Sequence, residues 1–172
     1  IEGFDIYGYE RWVQQWMTEN FPEEVQVDYE QFNSCFIDIE VASDEGFPRA
    51  EQAAWPIVAI TAYLNDVYYV WGNQDYTPTR HNVVYKKIES EKEMMHDFVM
   101  WWKSSEIDIV TGWNTRFFDL PYIFNRLNRL FGDDKMAHKL SPWNRTYKQH
   151  VQLGGQQLEE VHIEGINTLD YL

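Results

Sequence analysis

The sequence of 172 residues predicts an α/β fold in which helices flank a mixed β-sheet. Apolar runs with the length and alternation of strands come first along the chain, and amphipathic helical patterns are then interleaved with further strands. Hydrophobic residues make up 44% of the chain and aromatic residues 17%, which is enough apolar material for the core of one domain and excludes a disordered chain.

The N-terminal part of the chain predicts a short helix, a connecting segment and a strand. Residues 5–20 place their apolar side chains on one helical stripe, and Phe21-Pro22 ends that helix. Residues 23–31 are acidic and are predicted to be extended, as a linker or an edge segment. Residues 32–41 are strongly apolar apart from two acids, and they predict the first strand of the sheet.

A β-hairpin and one more strand come next. Residues 57–64 and 67–71 are two strand-like runs separated by Asn65-Asp66, a pair that suits a two-residue turn. Residues 83–87 predict a further short strand.

Helices and strands alternate after residue 90. Ser90 followed by Glu93 is a capping box, which satisfies free N–H groups at a helix start, and it predicts a helix over residues 90–103. Residues 107–113 predict a mostly buried strand, because they form a short apolar run bounded by polar residues.

A third helix and a second hairpin complete the predicted elements. Pro121 suits the first turn of a helix, where a missing N–H costs nothing, and Gly132 would end that helix. Residues 147–163 alternate in polarity around Gly154-Gly155 and predict the hairpin, since paired glycines permit the positive φ values of a tight turn.

Charge and cysteine content exclude several classes of protein. The net charge of −14 excludes a free-standing protein that grips the DNA backbone, which would normally be basic. A single cysteine, Cys35, excludes a disulfide framework and a cysteine-rich zinc site, and we expect its side chain in the core. No apolar run approaches the roughly 20 residues of a membrane span, so we expect no membrane partner. A reducing, cytoplasmic setting is expected. Residues 116–148 are locally basic and predict either a surface for a polyanion or a solvated helix face.

The sharpest local feature is the run Asp38-Ile39-Glu40. On a strand, alternate residues point to the same side, so both carboxylates project from one face of the sheet. Two neighbouring anions on an apolar strand repel each other, and a divalent cation such as Mg²⁺ would compensate them. The alternative is an edge strand with a solvated acidic face.

The second feature is the stretch from Thr111 to Tyr122, in which an apolar strand leads through a polar loop into a helix. Asp119 falls just before or within the first turn of that helix, where it could serve as a cap. Asn114 could be a turn residue, and Phe118 could be ordinary core.

Together the two features resemble the first two exonuclease motifs of family B DNA polymerases. The order of a carboxylate pair and a later Asn and Phe-Asp is shared with DnaQ-like 3′→5′ exonucleases. The flanking residues are similar to those of the replicative polymerases of myovirus-type tailed bacteriophages. They include residues 7–10, 45–48, 140–142 and 167–172.

The resemblance implies a ribonuclease H-like fold with a hairpin insertion, and a proofreading 3′→5′ exonuclease that hydrolyses single-stranded DNA ends with two Mg²⁺ or Mn²⁺ ions. It implies that Asp38 bridges the ions, Glu40 holds the ion that activates water, and Asp119 binds the second ion. Phe47 and Phe118 would stack on bases, and Asn114 would make a polar contact, although core or turn roles remain open for these three.

The resemblance also implies what the 172 residues leave out. The third exonuclease motif, Tyr-x-x-x-Asp or its histidine variant, does not occur after Asp119. We therefore expect an N-terminal flanking segment over residues 1–31 and an exonuclease domain over residues 32–172 that is truncated on its C-terminal side. The remainder of the polymerase chain is the expected partner, within an infected host cell. Asp170 resembles a structural residue of a strand end and is not assigned a metal.

Two alternatives stay open. One is a stand-alone DnaQ-like nuclease that acts on RNA or small nucleic acids. The other is a catalytically silent nucleic-acid-binding fragment. The hairpin over residues 147–163 is expected to separate primer from template, and the alternative is that it only covers the edge of the sheet.

Overall fold

The computed structural model describes residues 12–23, 26, 28–44 and 46–171 of the chain. Residues 5–11 of the first predicted helix, with the flanking residues 7–10, lie outside the described residues, as do Glu45 and Leu172. The chain forms two compact units, residues 1–31 and residues 32–172, and each is described by itself.

The first unit contains one helix and one helical turn. Helix α1 spans Trp12–Asn20 and confirms the described part of the predicted helix. The prediction of an extended segment before residue 32 is wrong for Tyr29–Gln31, which form a 3-10 turn. Asp28 is the physical reason, because its carboxylate accepts the Glu30 N–H at 3.1 Å and so favours a local turn over an extended chain.

The second unit contains eight strands and three helices within the described residues. In chain order they are β1 Ser34–Val41, β2 Ile57–Leu64, β3 Val67–Gly72, β4 Val83–Lys87, α2 Glu91–Ser104, β5 Ile109–Gly112, α3 Asp119–Phe131, α4 Lys135–His138, β6 Thr146–Leu153, β7 Gln156–Ile163 and β8 Asn167–Asp170.

Six of the strands form one mixed sheet in the order β4-β3-β2-β1-β5-β8. Strands β1, β2 and β3 form an antiparallel meander. Strand β4 runs parallel to β3, β5 runs parallel to β1, and β8 runs parallel to β5. The predicted α/β class with a mixed sheet is confirmed. No periodic pattern predicted β8 or α4, since both are too short to show one. The end of β8 at Asp170 agrees with the strand end that the resemblance implies there.

Both predicted hairpin turns are confirmed by their backbone angles. Asn65 and Asp66 have φ of 51° and 62°, and Gly154 and Gly155 have φ of 57° and 82°. Two consecutive residues with positive φ match the right-handed twist of the strands that they connect. Strands β6 and β7 form a separate two-stranded sheet.

The helix boundaries follow the predicted caps. The Ser90 hydroxyl accepts the Glu93 N–H at 3.4 Å at the start of α2. Helix α3 begins at Asp119, two residues before Pro121, and ends at Gly132 with φ of 79°. Each cap satisfies backbone groups that the helix itself leaves unpaired.

One face of the sheet supplies the core. Cys35, Ile37 and Ile39 of β1 are buried there, while the alternate residues of the strand are exposed. Apolar residues of α2 and α3 belong to the same buried cluster, among them Phe98 and Trp102. The core position expected for Cys35 is confirmed, and burial raises the pKa of its thiol to about 12.

The opposite face of the sheet is more open and carries an aromatic row. The strand registers place Tyr68, Tyr63, Phe36 and Leu169 on that face, with Thr111 between the last two. Asp38 and Glu40 project from the same face of β1. None of the described helices is long and apolar enough to cross a bilayer.

Candidate active site

Asp119 reaches β1 because β5 is shorter than its neighbour. The parallel pairing of β1 with β5 ends at Phe36 and Thr111, and β1 continues past that point to Val41. The N–H of Ile39, in the part of β1 that pairs with β2 but not with β5, donates to Asp119 Oδ1 at 3.0 Å. The carboxylate at the start of α3 is therefore fixed against the backbone between Asp38 and Glu40.

Burial and a neighbouring charge make Asp119 an unusual acid. The residue is 2% exposed. Burial is the largest cause that raises the pKa of Asp119, to about 7, and the negative charge of Asp38 is the second. The charge of Asp170 adds to the rise, whereas the hydrogen bond from Ile39 N–H opposes it. Partial burial also raises the pKa of Asp38. Asp38 and Asp119 thus act on each other electrostatically.

Glu40 lies two residues beyond Asp38 on the same strand. Its side chain lies exposed on the face that carries Asp38, beside an irregularity in the β1–β2 register between Glu40 and Val41. Among the residues that the structure describes, no three His, Cys, Asp or Glu side chains are grouped closely enough to hold a metal ion. The structure therefore brings together Asp38 and Asp119, but not a three-ligand cluster.

The donor chemistry at this place nevertheless fits a divalent cation. Two carboxylates that are partly or fully withdrawn from water disfavour each other when both are charged. Carboxylate oxygen is the ligand that Mg²⁺ and related hard ions prefer. Asp38 and Asp119 have that chemistry, and Glu40 projects from the same strand face.

The loop between β5 and α3 is held by the end of β8. Asn114 N–H and Arg116 N–H donate to the two oxygens of Asp170, at 3.0 and 2.8 Å. Asn114 has φ of 57°, a conformation that Asn tolerates better than most residues, and its carbonyl accepts the Phe118 N–H at 2.8 Å. The backbone of Asn114 is thus a turn, and Asp170 caps the loop.

Gly112 is required where this loop leaves β5. A Cβ at this position would lie 2.6 Å from the carbonyl oxygen of Ile37 and would overlap the side chain of Thr115, which is completely buried. Contacts that short with backbone are essentially never seen for a Cβ. The close approach of β1 and β5 therefore depends on glycine.

Phe47 and Phe118 meet beside Asp119. Their ring centroids are 4.7 Å apart with a tilt of 41° between the planes, and Phe118 also contacts Tyr122 at 5.6 Å. Phe47 is 78% exposed, which excludes a core role for it, whereas Phe118 is partly packed on the core. The predicted pair of aromatic residues is therefore in contact and partly open to solvent.

The locally basic stretch contains ion pairs that the sequence did not reveal. Arg116 pairs with Glu160 at 2.6 Å, and Arg126 pairs with Glu91 at 2.6 Å. Lys148 pairs with Glu159 at 2.9 Å. Glu159 and Glu160 are each 5% exposed. Neither a free surface for a polyanion nor a solvated helix face describes these three cations. No local pattern could have found the pairs of Arg116 and Arg126, because their partners lie 44 and 35 positions away in the chain.

Comparison with known proteins gives a consistent picture. The family model described as "DNA polymerase family B, exonuclease domain" matches residues 12–172. The chain is 28% identical to a DNA-directed DNA polymerase of Escherichia phage RB69 and 26% identical to that of Enterobacteria phage T4. Each match covers 99% of this chain and 22% of the polymerase.

A more distant match is the DNA polymerase catalytic subunit of Saimiriine herpesvirus 2 (strain 11), 26% identical over 70% of this chain and 12% of that protein. The chain thus spans about a fifth of the length of the phage polymerases that it matches.

Proposed function

Because the chain belongs to the exonuclease-domain family of family B DNA polymerases, we propose that it removes nucleotides from the single-stranded 3′ end of DNA by hydrolysis, as in proofreading. The family and the fold class expected from the motifs are confirmed by that membership. The observation that best supports the reaction is the hydrogen bond from Ile39 N–H to Asp119, which fixes a buried carboxylate beside Asp38.

Divalent metal use is general in this exonuclease family. We propose Mg²⁺ or Mn²⁺ here, two ions in all, with Asp38, Glu40 and Asp119 as the ligands that these 172 residues supply. Bound divalent ions would supply a nucleophilic water and neutralise charge on the phosphate.

The chain's own groups would bind and orient the DNA end. The exposed ring of Phe47, in contact with Phe118, gives a platform on which a terminal base can stack, and stacking tolerates any base. Asn114 lies in the turn that leads to Asp119 and offers its side-chain amide for a polar contact. The scaffold holds Asp119 through Ile39 N–H, so that carboxylate needs no reorganisation when the substrate arrives.

The remainder of a polymerase chain is the proposed partner. Residues 32–172 would form the part of the exonuclease domain that carries the first two motifs, with residues 1–31 as its N-terminal flank. The β6–β7 hairpin would separate primer from template. Its tip supports this, because Leu153 is 54% exposed and no atom of the described residues lies within 4 Å of a Cβ added at Gly154 or Gly155. The phage relatives favour the cytoplasm of an infected cell as the setting.

The silent nucleic-acid-binding fragment remains the second candidate. It is favoured by one observation, namely that no three ligand side chains converge among the described residues. The two candidates differ in whether Asp38, Glu40 and Asp119 bind a metal ion.

The test uses a double variant that carries both Asp38→Ala and Glu40→Ala. Its control is a second double variant, Glu51→Ala and Glu89→Ala, which removes two exposed acids elsewhere. Mn²⁺ binding is followed by electron paramagnetic resonance, and digestion of a single-stranded oligonucleotide is measured in Mg²⁺. We expect the first variant to lose Mn²⁺ binding and digestion while it stays folded, and the control to keep both. Equal Mn²⁺ binding by the two variants would refute the site.

A further inference from the structure

Glu160 lies almost fully buried at the base of the β6–β7 hairpin, with 5% of its surface exposed. Its carboxylate accepts two hydrogen bonds from the guanidinium of Arg116, at 2.6 and 3.0 Å, and a third from the side-chain amide of Gln149 at 2.7 Å. Burial alone would raise the pKa of Glu160, but the hydrogen bonds from Arg116 and Gln149 outweigh it and lower the pKa. The carboxylate is therefore a paired anion in the folded chain.

Arg116 links this buried acid to the candidate active site. It belongs to the loop between β5 and α3, three residues before Asp119, and its backbone N–H donates to Asp170 at 2.8 Å. The guanidinium carbon lies 5.1 Å from the centroid of the Phe117 ring. Arg116 is thus fixed by β8 through its backbone and by the hairpin through its side chain.

The other polar anchors of the loop are Asp170 and backbone hydrogen bonds within the loop itself. Asn114 N–H shares the carboxylate of Asp170 with Arg116, and Leu120 N–H donates to the carbonyl of Thr115 at 3.0 Å. The hydroxyl of Thr115 is buried and has no hydrogen-bond partner among the residues that the structure describes. A bidentate arginine–carboxylate pair fixes direction as well as distance, so it constrains the loop more than a single hydrogen bond does.

From these contacts we propose that Glu160 is a positioning residue, which through Arg116 fixes the loop over residues 113–118 and so the placement of Asn114 and Asp119. Its meaning for catalysis rests on the proposed function, whereas the coupling of the hairpin to the loop does not. The hairpin and the loop that presents Asp119 form one unit, and a displacement of the hairpin base is transmitted to the carboxylates.

The adjacent Glu159 provides an internal comparison. It points to the other face of the ribbon and accepts hydrogen bonds from Lys148 at 2.9 Å and from Asn125 of α3 at 2.6 Å. Asn125 also donates to the carbonyl of Ala50 at 2.9 Å. Glu159 therefore holds the hairpin to α3 without touching the loop over residues 113–118.

The first experiment measures hydrogen exchange of the loop amides in metal-free buffer. Glu160→Gln removes the charge that pairs with Arg116 and keeps the side-chain volume. Two matched variants serve as controls. Glu159→Gln removes the charge of the equally buried partner of Lys148, and Glu91→Gln removes that of the half-buried partner of Arg126. We expect exchange in loop residues 113–118 to be roughly tenfold faster in Glu160→Gln, and unchanged in both controls once global stability is taken into account.

Equal acceleration in all three variants would show a general loss of stability and would overturn the proposal, as would an unchanged loop in Glu160→Gln. The exchanged pair, Arg116→Glu with Glu160→Arg, is expected to restore slow exchange, because the charges remain opposite.

The second experiment uses Mn²⁺ affinity, read by electron paramagnetic resonance on the same variants. We expect roughly tenfold weaker binding in Glu160→Gln, wild-type affinity in Glu91→Gln and recovery in the exchanged pair. If Glu160→Gln loosens the loop but binds Mn²⁺ as the wild type does, Glu160 is not a positioning residue for the carboxylates. If the wild type binds no Mn²⁺, the proposed function fails, and loop exchange still decides whether hairpin and loop are coupled.

Discussion

Asp119 shows how one residue serves both the fold and the site. Its carboxylate satisfies the N–H of Ile39, which β5 leaves without a strand partner, and the same burial raises its pKa to about 7. Burial therefore makes Asp119 costly to ionise in the folded chain, although the hydrogen bond from Ile39 N–H favours the ionised form. A cation bound by Asp38 and Asp119, as proposed above, would remove that cost.

Stability of the metal-free chain should fall as Asp119 ionises. Its pKa is about 7 in the folded chain against an ordinary 3.8, so the folded chain holds a proton that the unfolded chain releases between those values. The stabilising contribution is complete below the unfolded pKa and is lost as pH rises through about 7. Each unit of the difference corresponds to ~1.4 kcal/mol, which makes ~4 kcal/mol an upper limit.

The check is a series of thermal melts with a chelator between about pH 5 and pH 8. Asp119→Asn keeps an oxygen for Ile39 N–H but cannot ionise. We expect the variant to be more stable than the wild type by several degrees at the upper end of that range, and the gap to close toward the lower end. Parallel curves for the two proteins would contradict the raised pKa.

At the scale of elements, ion pairs join pieces that are distant in sequence. The pair of Arg126 on α3 with Glu91 on α2 has side chains that are 11% and 16% exposed, and Glu91 also accepts the Ile57 N–H at 2.7 Å. It therefore ties two helices to the sheet. Lys87 and Asp75 form a pair of similar length, 2.8 Å, but Asp75 is 92% exposed.

Loss of the buried pair should cost much more than loss of the exposed pair. Arg126→Ala leaves Glu91 charged with only 16% of its side chain exposed, and we expect the free energy of unfolding to fall by about 3 kcal/mol. Lys87→Ala should lower it far less, because solvent screens this exposed pair. Urea denaturation of both variants measures the difference, and similar midpoints would show that the pair of Arg126 and Glu91 is not a structural tie.

The hairpin tip should be dispensable for folding and needed for strand separation. Removing residues 152–157 and closing the ribbon with Asn-Gly takes away exposed residues only, so melting should change little. In a polymerase that carries this domain, we expect normal digestion of single-stranded DNA and impaired editing of a mismatched duplex end. An equal loss on both substrates would mean that the hairpin is structural.

Local patterns in the sequence predicted the elements well and their long-range contacts poorly. The alternation that places Asp38 and Glu40 on one face of β1 follows from the geometry of a strand, and the turns at Asn65 and Gly154 follow from backbone preferences. The contact between Ile39 and Asp119, and the pair of Arg116 with Glu160, join residues 80 and 44 positions apart. Such contacts are set by how elements pack, which no local window records.

For the whole molecule, the net charge of −14 has to be reconciled with the proposed DNA substrate. Three cations of the locally basic stretch are paired with glutamates, so they add little net attraction for phosphate. The exposed ring of Phe47 offers stacking, which does not depend on charge. Binding of a single strand should therefore rely on local contacts that act against long-range repulsion.

Salt should reveal this balance. A DNA-binding protein that neutralises phosphates loses affinity steeply as salt rises. For this chain without divalent ions, we expect the affinity for a labelled single-stranded oligonucleotide to stay level or to rise between low and moderate salt, because screening weakens the repulsion. Fluorescence anisotropy measures it, with Phe47→Ala as a variant that should bind more weakly at every salt concentration. A steep loss with salt would point to an unrecognised phosphate-binding surface.

The close approach of β1 and β5 at Gly112 also has a genetic consequence. Every missense change of a glycine codon introduces a Cβ, and at this position that atom would meet the backbone oxygen of Ile37 at 2.6 Å. Codon 112 should therefore accept synonymous changes only, however mild the encoded residue. The codons for Gly154 and Gly155 should accept asparagine, since an added Cβ there meets nothing within 4 Å and only the positive φ opposes it. In a library of single-codon variants, the tolerated substitutions would thus distinguish Gly112, which needs the space, from Gly154 and Gly155, which need only the positive φ.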